Sequence, residues 1–262
     1  MKTVREFMAA KNGRGKIVMV TAYDTWSARI LADSQADCLL VGDSLAMLLY
    51  GARDTLGATV DLMAAHTRAV SRGAPEKLII ADMPFLAGRK GTAHAVDSAA
   101  KLLRAGAHAV KIEGFRGHAE VIRHLVDSGI PVLGHMGLQP QWINAVGGFR
   151  VQGRDEAGAS RIREDCLKLQ ETGVFGVLLE CVPSKLAGEI TKALKVPTIG
   201  IGAGARCDGQ VLVFHDLLGF NPGFSPRFAR RFADGAGLVA KGVARYAAAV
   251  RSGRFPSVGE SY

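Results

Sequence analysis

The sequence predicts an α/β fold, a closed (β/α)8 TIM barrel in a single domain, on three grounds. Short runs rich in Val, Ile and Leu alternate with longer segments whose apolar residues recur at helical spacing, the pattern of repeating strand–helix units. Most of the runs are apolar throughout, as parallel strands covered on both faces are, and the segments between them are long enough for crossover helices. No Pro/Ser-rich linker or low-complexity tract divides the 262 residues, a length that suits one barrel of about 250 residues.

The elements follow in order. The first strand is Ile17–Thr21, with a helix over 26–36, and the second is Cys38–Val41, with a helix over 60–72. The third run covers 78–81 before a helix over 93–105, and the fourth covers 109–112 before a helix over 118–128. After the fifth, 131–133, comes a long connection in which 147–154 is a candidate lid, and then a helix over 155–172. The sixth, 176–179, precedes a helix over 184–194 with Pro183 in its first turn. The seventh is 197–201, and a fainter eighth around 210–214 completes the ring. A short N-terminal helix and a basic C-terminal helix over 226–250 flank the barrel within the one domain, 1–262.

Composition excludes several classes of function. Hydrophobic residues make up 48%, charged residues 22%, and mean hydropathy is +0.15, which rules out disorder as the main state. No stretch reaches the roughly 18 apolar residues of a membrane span. The first residues, Met1-Lys2-Thr3-Val4-Arg5-Glu6, lack the apolar run of a signal peptide, so a cytoplasmic location is expected. Cys38, Cys166, Cys181 and Cys207 are far apart and form no C-x-x-C pair, which points to reduced thiols. The net charge of +9 is concentrated between 226 and 254, where seven basic residues face one acid, Asp234. This segment reads as a solvated helix face or subunit contact, because aromatic residues, at 6%, are too sparse for a base-stacking surface.

The chemistry lies in what ends each run. The second ends in Asp43-Ser44, the third in Asp82, the fourth in Lys111-Ile112-Glu113, the fifth in His135 and the sixth in Glu180. In a barrel these ends meet at one face, where active sites of this fold sit. A single acid there can serve as a helix cap, but several carboxylates at one rim repel one another unless a cation or substrate compensates. Asp43, Asp82 and Glu113 offer only hard oxygen donors, which favours Mg2+. Lys111, two residues before Glu113, points to the same strand face and can meet an anionic substrate. Glu180, approached by apolar residues, is suited to be a general base, and His135 to donate a hydrogen bond. The glycine-rich Ile199-Gly200-Ile201-Gly202-Ala203-Gly204-Ala205 does not match G-x-G-x-x-G, and its glycines suit a close backbone approach. His66, His94, His108, His118 and His124 read as surface or packing residues.

Several blocks then combine. Val20-Thr21-Ala22-Tyr23-Asp24, Val41-Gly42-Asp43-Ser44-Leu45, His66-Thr67-Arg68-Ala69-Val70, Ala109-Val110-Lys111-Ile112-Glu113-Gly114, Gly134-His135-Met136-Gly137-Leu138, Val151-Gln152-Gly153-Arg154 and Leu179-Glu180-Cys181-Val182-Pro183 stand in the order found in one family. From about Thr3 to Phe255 the sequence resembles ketopantoate hydroxymethyltransferase. The resemblance implies a barrel of the phosphoenolpyruvate/pyruvate-like group, a cytoplasmic homodecamer, and the first committed step of pantothenate biosynthesis. In that step a hydroxymethyl group passes from 5,10-methylenetetrahydrofolate to 3-methyl-2-oxobutanoate, giving 2-dehydropantoate and tetrahydrofolate. It further implies Asp43 and Asp82 as Mg2+ ligands, Glu113 near the metal through water, Ser44 and Lys111 as 2-oxo acid contacts, and Glu180 as proton acceptor.

The chain departs from the family's usual pattern at Leu86-Ala87-Gly88, Ala46, Gln139 and Trp142, away from the metal and base positions. The same strand-end residues also suit a Mg2+-dependent lyase or aldolase of 2-oxo acids. A non-catalytic binding protein acting through the basic C-terminal helix is the remaining alternative.

Overall fold

The computed structural model describes residues 1–13, 15–223 and 226–262. The chain divides into two compact units, Met1–Leu212 and Val213–Tyr262. In the first, eight parallel strands close into a barrel in sequence order. They are β1 Ile17–Thr21, β2 Cys38–Val41, β3 Leu78–Asp82, β4 Ala109–Glu113, β5 Val132–Gly137, β6 Gly176–Glu180, β7 Thr198–Ile201 and β8 Gly209–Leu212. Closure comes from β8 pairing back on β1, with Ile17 opposite Gly209 and Val20 opposite Leu212.

Helices α1 Val4–Ala9, α2 Thr25–Ala32, α3 Leu45–Tyr50, α4 Val60–Gly73, α5 Thr92–Arg104, α6 Ala119–Asp127, α7 Ile143–Val146, α8 Glu156–Glu171 and α9 Ser184–Ala193 complete this unit. Side-chain caps start several of them. Asp24 accepts from Ser27 N–H, Thr59 from Leu62 N–H and Asp155 from Gly158 N–H, each satisfying an amide that the helix itself leaves unpaired.

Alternation along the strands sets the core. Ile17 and Met19, Cys38 and Leu40, Leu78 and Ile80, then Ala109, Leu133, Leu178, Ile199 and Val211 form one buried cluster with Phe7 and Phe175. Phe7 comes from α1 and meets Phe175 edge to face at 5.1 Å. The N-terminal helix thus contributes a ring to the barrel core. Continuing two residues further on the same strand faces, Ile80 leads to Asp82, Ala109 to Lys111 and Glu113, Leu133 to His135, and Leu178 to Glu180. One face of each of these four strands therefore changes from apolar to ionisable as it approaches its carboxyl end.

Some boundaries differ from the expected ones. Strands β3 to β6 extend past their apolar runs to end on Asp82, Glu113, Gly137 and Glu180, because backbone pairing continues after the side chains turn polar. The eighth strand ends at Leu212, and Phe214 instead opens α10, Phe214–Leu217. Pro183 occupies the N-cap of α9, not its first turn. The C-terminal helix, α11, spans Gly235–Arg251 and does not begin at 226, since Asp234 caps it by accepting from Gly237 N–H. Within the second unit α11 buries only Gly235 and exposes Leu238, Val239, Val243 and Tyr246. All four cysteines are free and buried. Among the described residues, no helix is long and apolar enough to cross a membrane.

Candidate active site

The carboxyl ends of β2 to β6 bring Asp43, Ser44, Asp82, Lys111, Glu113, His135 and Glu180 to one mouth of the barrel. Register does much of this work. Asp82 stands opposite Lys111, and Glu113 opposite His135, so neighbouring strands deliver them side by side. Asp43 lies two residues past the end of β2, where its N–H donates to Asp82 Oδ2 at 3.0 Å. Lys111 Nζ sits 3.3 Å from Asp82 Oδ2, 3.7 Å from Glu113 Oε1 and 3.0 Å from His135 Nδ1. Because the ammonium can only donate, it makes Nδ1 the acceptor and puts the proton of the neutral ring on Nε2. That nitrogen faces Glu180 Oε2 at 3.3 Å, without hydrogen-bond alignment.

Asp43, Asp82, Lys111, Glu113 and His135 are each no more than 4% exposed, whereas the Glu180 side chain keeps 16%. Burial shapes the charges. Loss of water, with Asp82 and Glu113 nearby, holds Asp43 well above the usual carboxylate range. Burial also raises Asp82, although Lys111 and the Asp43 N–H oppose it. For Lys111, burial works downward, but Asp82, Glu113, Asp43 and Glu180 outweigh it and raise the pKa. Glu113 is held below its ordinary value despite burial, by His135, Lys111 and the Gln141 N–H. His135 is raised on balance: burial and Lys111 push it down, and Glu113 and Glu180 push it up.

Other residues complete the mouth. Tyr23 OH and Ser44 Oγ share a hydrogen bond of 2.8 Å, and a Cβ at Gly42 would come 2.9 Å from that Oγ. Gln141 reaches in after β5: its N–H donates to Glu113 Oε2 at 3.0 Å, and its Nε2 donates to Asp43 Oδ2 at 2.8 Å and to the Met83 carbonyl at 3.0 Å. Arg89 lies 5.0 Å over the Trp142 ring, and its guanidinium donates to the Arg116 carbonyl at 3.2 Å. Leu86 and Cys181, at φ of 62° and 48°, are the non-glycine residues with left-handed backbone among those described. Both flank the mouth, and Cys181 directly follows Glu180. Such conformations cost about 1–3 kcal/mol and persist only where surrounding contacts enforce them. Here Cys181 N–H donates to Ile201 O, and its carbonyl accepts from Gln152 N–H.

Sequence reading missed Tyr23, Gly42, Gln141 and Arg89. Tyr23 had a signal, being a polar aromatic just beyond β1. Gln141 had none, since its partners are remote in the chain. His118 is buried with Nε2 unpaired, and burial together with Arg89 lowers its pKa to about 4. His66, by contrast, bonds Tyr23 O and Tyr50 OH. After β7, Gly204 packs closely, since a Cβ there would meet Ser184 at the start of α9.

Among the described residues no three His, Cys, Asp or Glu side chains form a ready ligand cluster. The donor set is instead two buried carboxylates, with Asp82 Oδ1 lacking any partner. Such a set fits a hard cation that retains water and binds through one or two carboxylates, as Mg2+ does.

A family described as ketopantoate hydroxymethyltransferase matches residues 1–258. A 3-methyl-2-oxobutanoate hydroxymethyltransferase of Bdellovibrio bacteriovorus is 53% identical over 262 residues, all of both chains. One from Coxiella burnetii is 49% identical over 252 residues, 96% of this chain and 95% of its own. Among solved structures, 2,3-dimethylmalate lyase, a member of the PEP mutase/isocitrate lyase superfamily, superposes with a TM-score of 0.62 at 17% identity, covering 100% of this chain and 92% of that one. Phosphonopyruvate hydrolase in complex with oxalate and Mg2+ gives 0.63 at 13% identity, covering 99% and 93%. These two share the fold; the full-length sequence matches go further, and by them the chain belongs to the ketopantoate hydroxymethyltransferase family.

Proposed function

We propose that the chain transfers a hydroxymethyl group from 5,10-methylenetetrahydrofolate to 3-methyl-2-oxobutanoate, giving 2-dehydropantoate and tetrahydrofolate. In this reading Asp43 and Asp82 hold Mg2+, with Glu113 nearby through water; Ser44, Lys111 and His135 contact the 2-oxo acid; and Glu180 is the base. The observation that carries it is the buried Asp43–Asp82 pair, joined by the 3.0 Å bond from Asp43 N–H, with Asp82 Oδ1 unpaired. Two dry carboxylates so close call for positive charge beyond Lys111. When bound, a divalent cation supplies Lewis-acid stabilisation of the charge that develops on the 2-oxo acid as its C3 proton leaves.

The residues divide the remaining work. Glu180, more open than the others, accepts the C3 proton, and the electron pair left at C3 forms the bond to the folate-borne carbon. Water supplies the hydroxyl oxygen: it adds to the methylene carbon as both C–N bonds to the folate break and tetrahydrofolate leaves. The C3 electron pair joins the resulting formaldehyde-level carbon, and the alkoxide so formed takes back the proton held by Glu180. His135, braced by Lys111 at Nδ1, keeps its Nε2 beside the Glu180 carboxylate. Lys111 offers a buried positive charge to the substrate anion, and Tyr23 fixes the Ser44 hydroxyl. The uncovered apolar side chains of α11, with Leu238 72% and Val243 60% exposed, support assembly into a homo-oligomer, for which the family resemblance suggests a decamer.

Incubating the protein with both substrates and Mg2+ tests the reaction. Formation of 2-dehydropantoate is expected; cleavage of the 2-oxo acid without folate would replace this reading by the lyase one. Glu180→Gln is expected to abolish solvent exchange of the C3 proton while Mg2+ still binds, and undiminished exchange would remove Glu180 from the mechanism. Asp82→Ala is expected to weaken Mg2+ binding, and an unchanged Mg2+ requirement would overturn the ligand assignment.

A further inference from the structure

The contacts of Gln141 form a pattern that the reaction as described leaves unused. One residue spans three strand ends: its side-chain amide donates to Asp43 Oδ2 after β2 and to the Met83 carbonyl after β3, and its backbone N–H donates to Glu113 Oε2 at the end of β4. Both side-chain partners are acceptors, so the amide orientation is fixed by chemistry: the NH2 group must face them. The segment that carries it is itself anchored. Gln139 packs against Gly114, where a Cβ would meet Gln139 Oε1 at 2.6 Å, and Trp142 stacks under Arg89.

The consequence falls on the free oxygens. Asp82 Oδ2 is taken by the Asp43 N–H and faces Lys111, leaving Oδ1 without a partner. Asp43 Oδ2 is taken by Gln141. Each aspartate is therefore restrained through one oxygen while the other remains available, which is what single-oxygen ligation by two carboxylates requires.

We propose that Gln141 is a positioning residue for the cation site, orienting Asp43 through its side-chain amide and Glu113 through its backbone N–H. The proposal rests on the reading that Asp43 and Asp82 hold Mg2+. Residues hydrogen-bonded to metal ligands typically contribute 10–100-fold in metal affinity, so Gln141 is expected to matter on that scale although it is no ligand.

The test is Mg2+ binding by titration calorimetry, and Mn2+ binding by electron paramagnetic resonance, on the whole protein without substrates. Gln141→Met keeps the bulk and loses the donors; its affinity is expected to fall roughly 10–100-fold, with a melting curve close to that of the parent protein. In an Asp43→Asn background the same substitution is expected to add little, since it acts through Asp43. Equal or tighter binding by Gln141→Met, or full additivity with Asp43→Asn, overturns the proposal. If the parent protein itself binds neither ion, the metal reading falls and takes this inference with it, a result distinct from loss of the Gln141 effect alone. Should Gln141→Met fold poorly, Gln141→Leu is read in the same two assays.

Discussion

Replacing Gly137 by alanine tests whether the end of β6 is held where the proposed base needs it. Gly137 ends β5 at φ of 93° and stands in register with Glu180. The adjoining Leu138 N–H donates to the Glu180 carbonyl at 2.8 Å. A Cβ at 137 would overlap that carbonyl and lie 2.6 Å from Val182 Cγ2. To relieve both contacts, β5 and β6 must part by roughly 1 Å, a misplacement that costs about 100-fold in rate when it reaches the reacting groups. The left-handed backbone costs an L-residue about 1–2 kcal/mol, and the overlap a further 1–3 kcal/mol or so. For a chain of this length the melting temperature falls by roughly 5–15 °C. Gly51→Ala is the matched control: φ is 69°, but nothing lies within 4 Å of the new Cβ, so only the conformational cost applies. Scanning calorimetry and loss of the substrate C3 proton signal in D2O with Mg2+ read the two effects. If Gly137→Ala melts with Gly51→Ala and exchanges the C3 proton at the parent rate, the close approach of β5 to β6 does not position Glu180.

Lys111→Met leaves Asp43, Asp82 and Glu113 buried without their ammonium, and is expected to cost about 3–5 kcal/mol in urea unfolding near neutral pH; a loss under 1 kcal/mol or so would show that the carboxylates are already neutralised by protons. His118 takes up a proton at about 6.5 in the unfolded chain but only at about 4 when folded, so stability falls as pH drops through that interval. His118→Gln is expected to flatten this part of the stability–pH curve, and an unchanged slope would place the proton uptake elsewhere. Val243→Glu on the exposed face of α11 is expected to reduce the oligomer mass measured by light scattering, whereas an unaltered mass would separate that face from assembly.

The barrel was legible because buried parallel strands write their character locally: Ile17–Thr21 and Cys38–Val41 have the bounds that the apolar runs suggest. The same runs stop short in β3 to β6, since hydrophobicity ends at Ala81, Ile112, Leu133 and Leu179 while backbone pairing continues onto the polar residues. The convergence of Asp43, Asp82, Lys111, Glu113, His135 and Glu180 follows once the strands are placed, because each stands at or near the end of a strand. Gln141 and Gly137 follow from no local rule. Gln141 meets Asp43 across 98 positions of sequence, and the need for glycine at 137 comes from the carbonyl of a neighbouring strand. The C-terminal helix was read too long because its basic and apolar residues continue upstream of the Asp234 cap, and a cap decides the start more sharply than composition does.

In β3 to β6 the two halves of the inner strand face carry opposite obligations, and together they account for where the chemistry can sit. Below, Ile80, Ala109, Leu133 and Leu178 share a core with Phe7 and Phe175, and this apolar packing supplies stability without ionisable groups. Above, Asp82, Lys111, Glu113 and His135 are almost fully buried, and charged groups so placed oppose folding unless each finds a partner. The partners are mutual and incomplete: Lys111 serves Asp82, Glu113 and His135 at once, while Asp82 Oδ1 and Glu113 Oε1 remain without hydrogen bonds. A layer satisfied to that degree is stable enough to stay ordered on a firm apolar base, yet it retains a net attraction for a cation and for donors on a ligand. The strained turn at Cys181, directly after Glu180, and the hydrogen bond from Gln141 Nε2 to Asp43 Oδ2 then act on geometry, fixing the backbone beside one carboxylate and one oxygen of another.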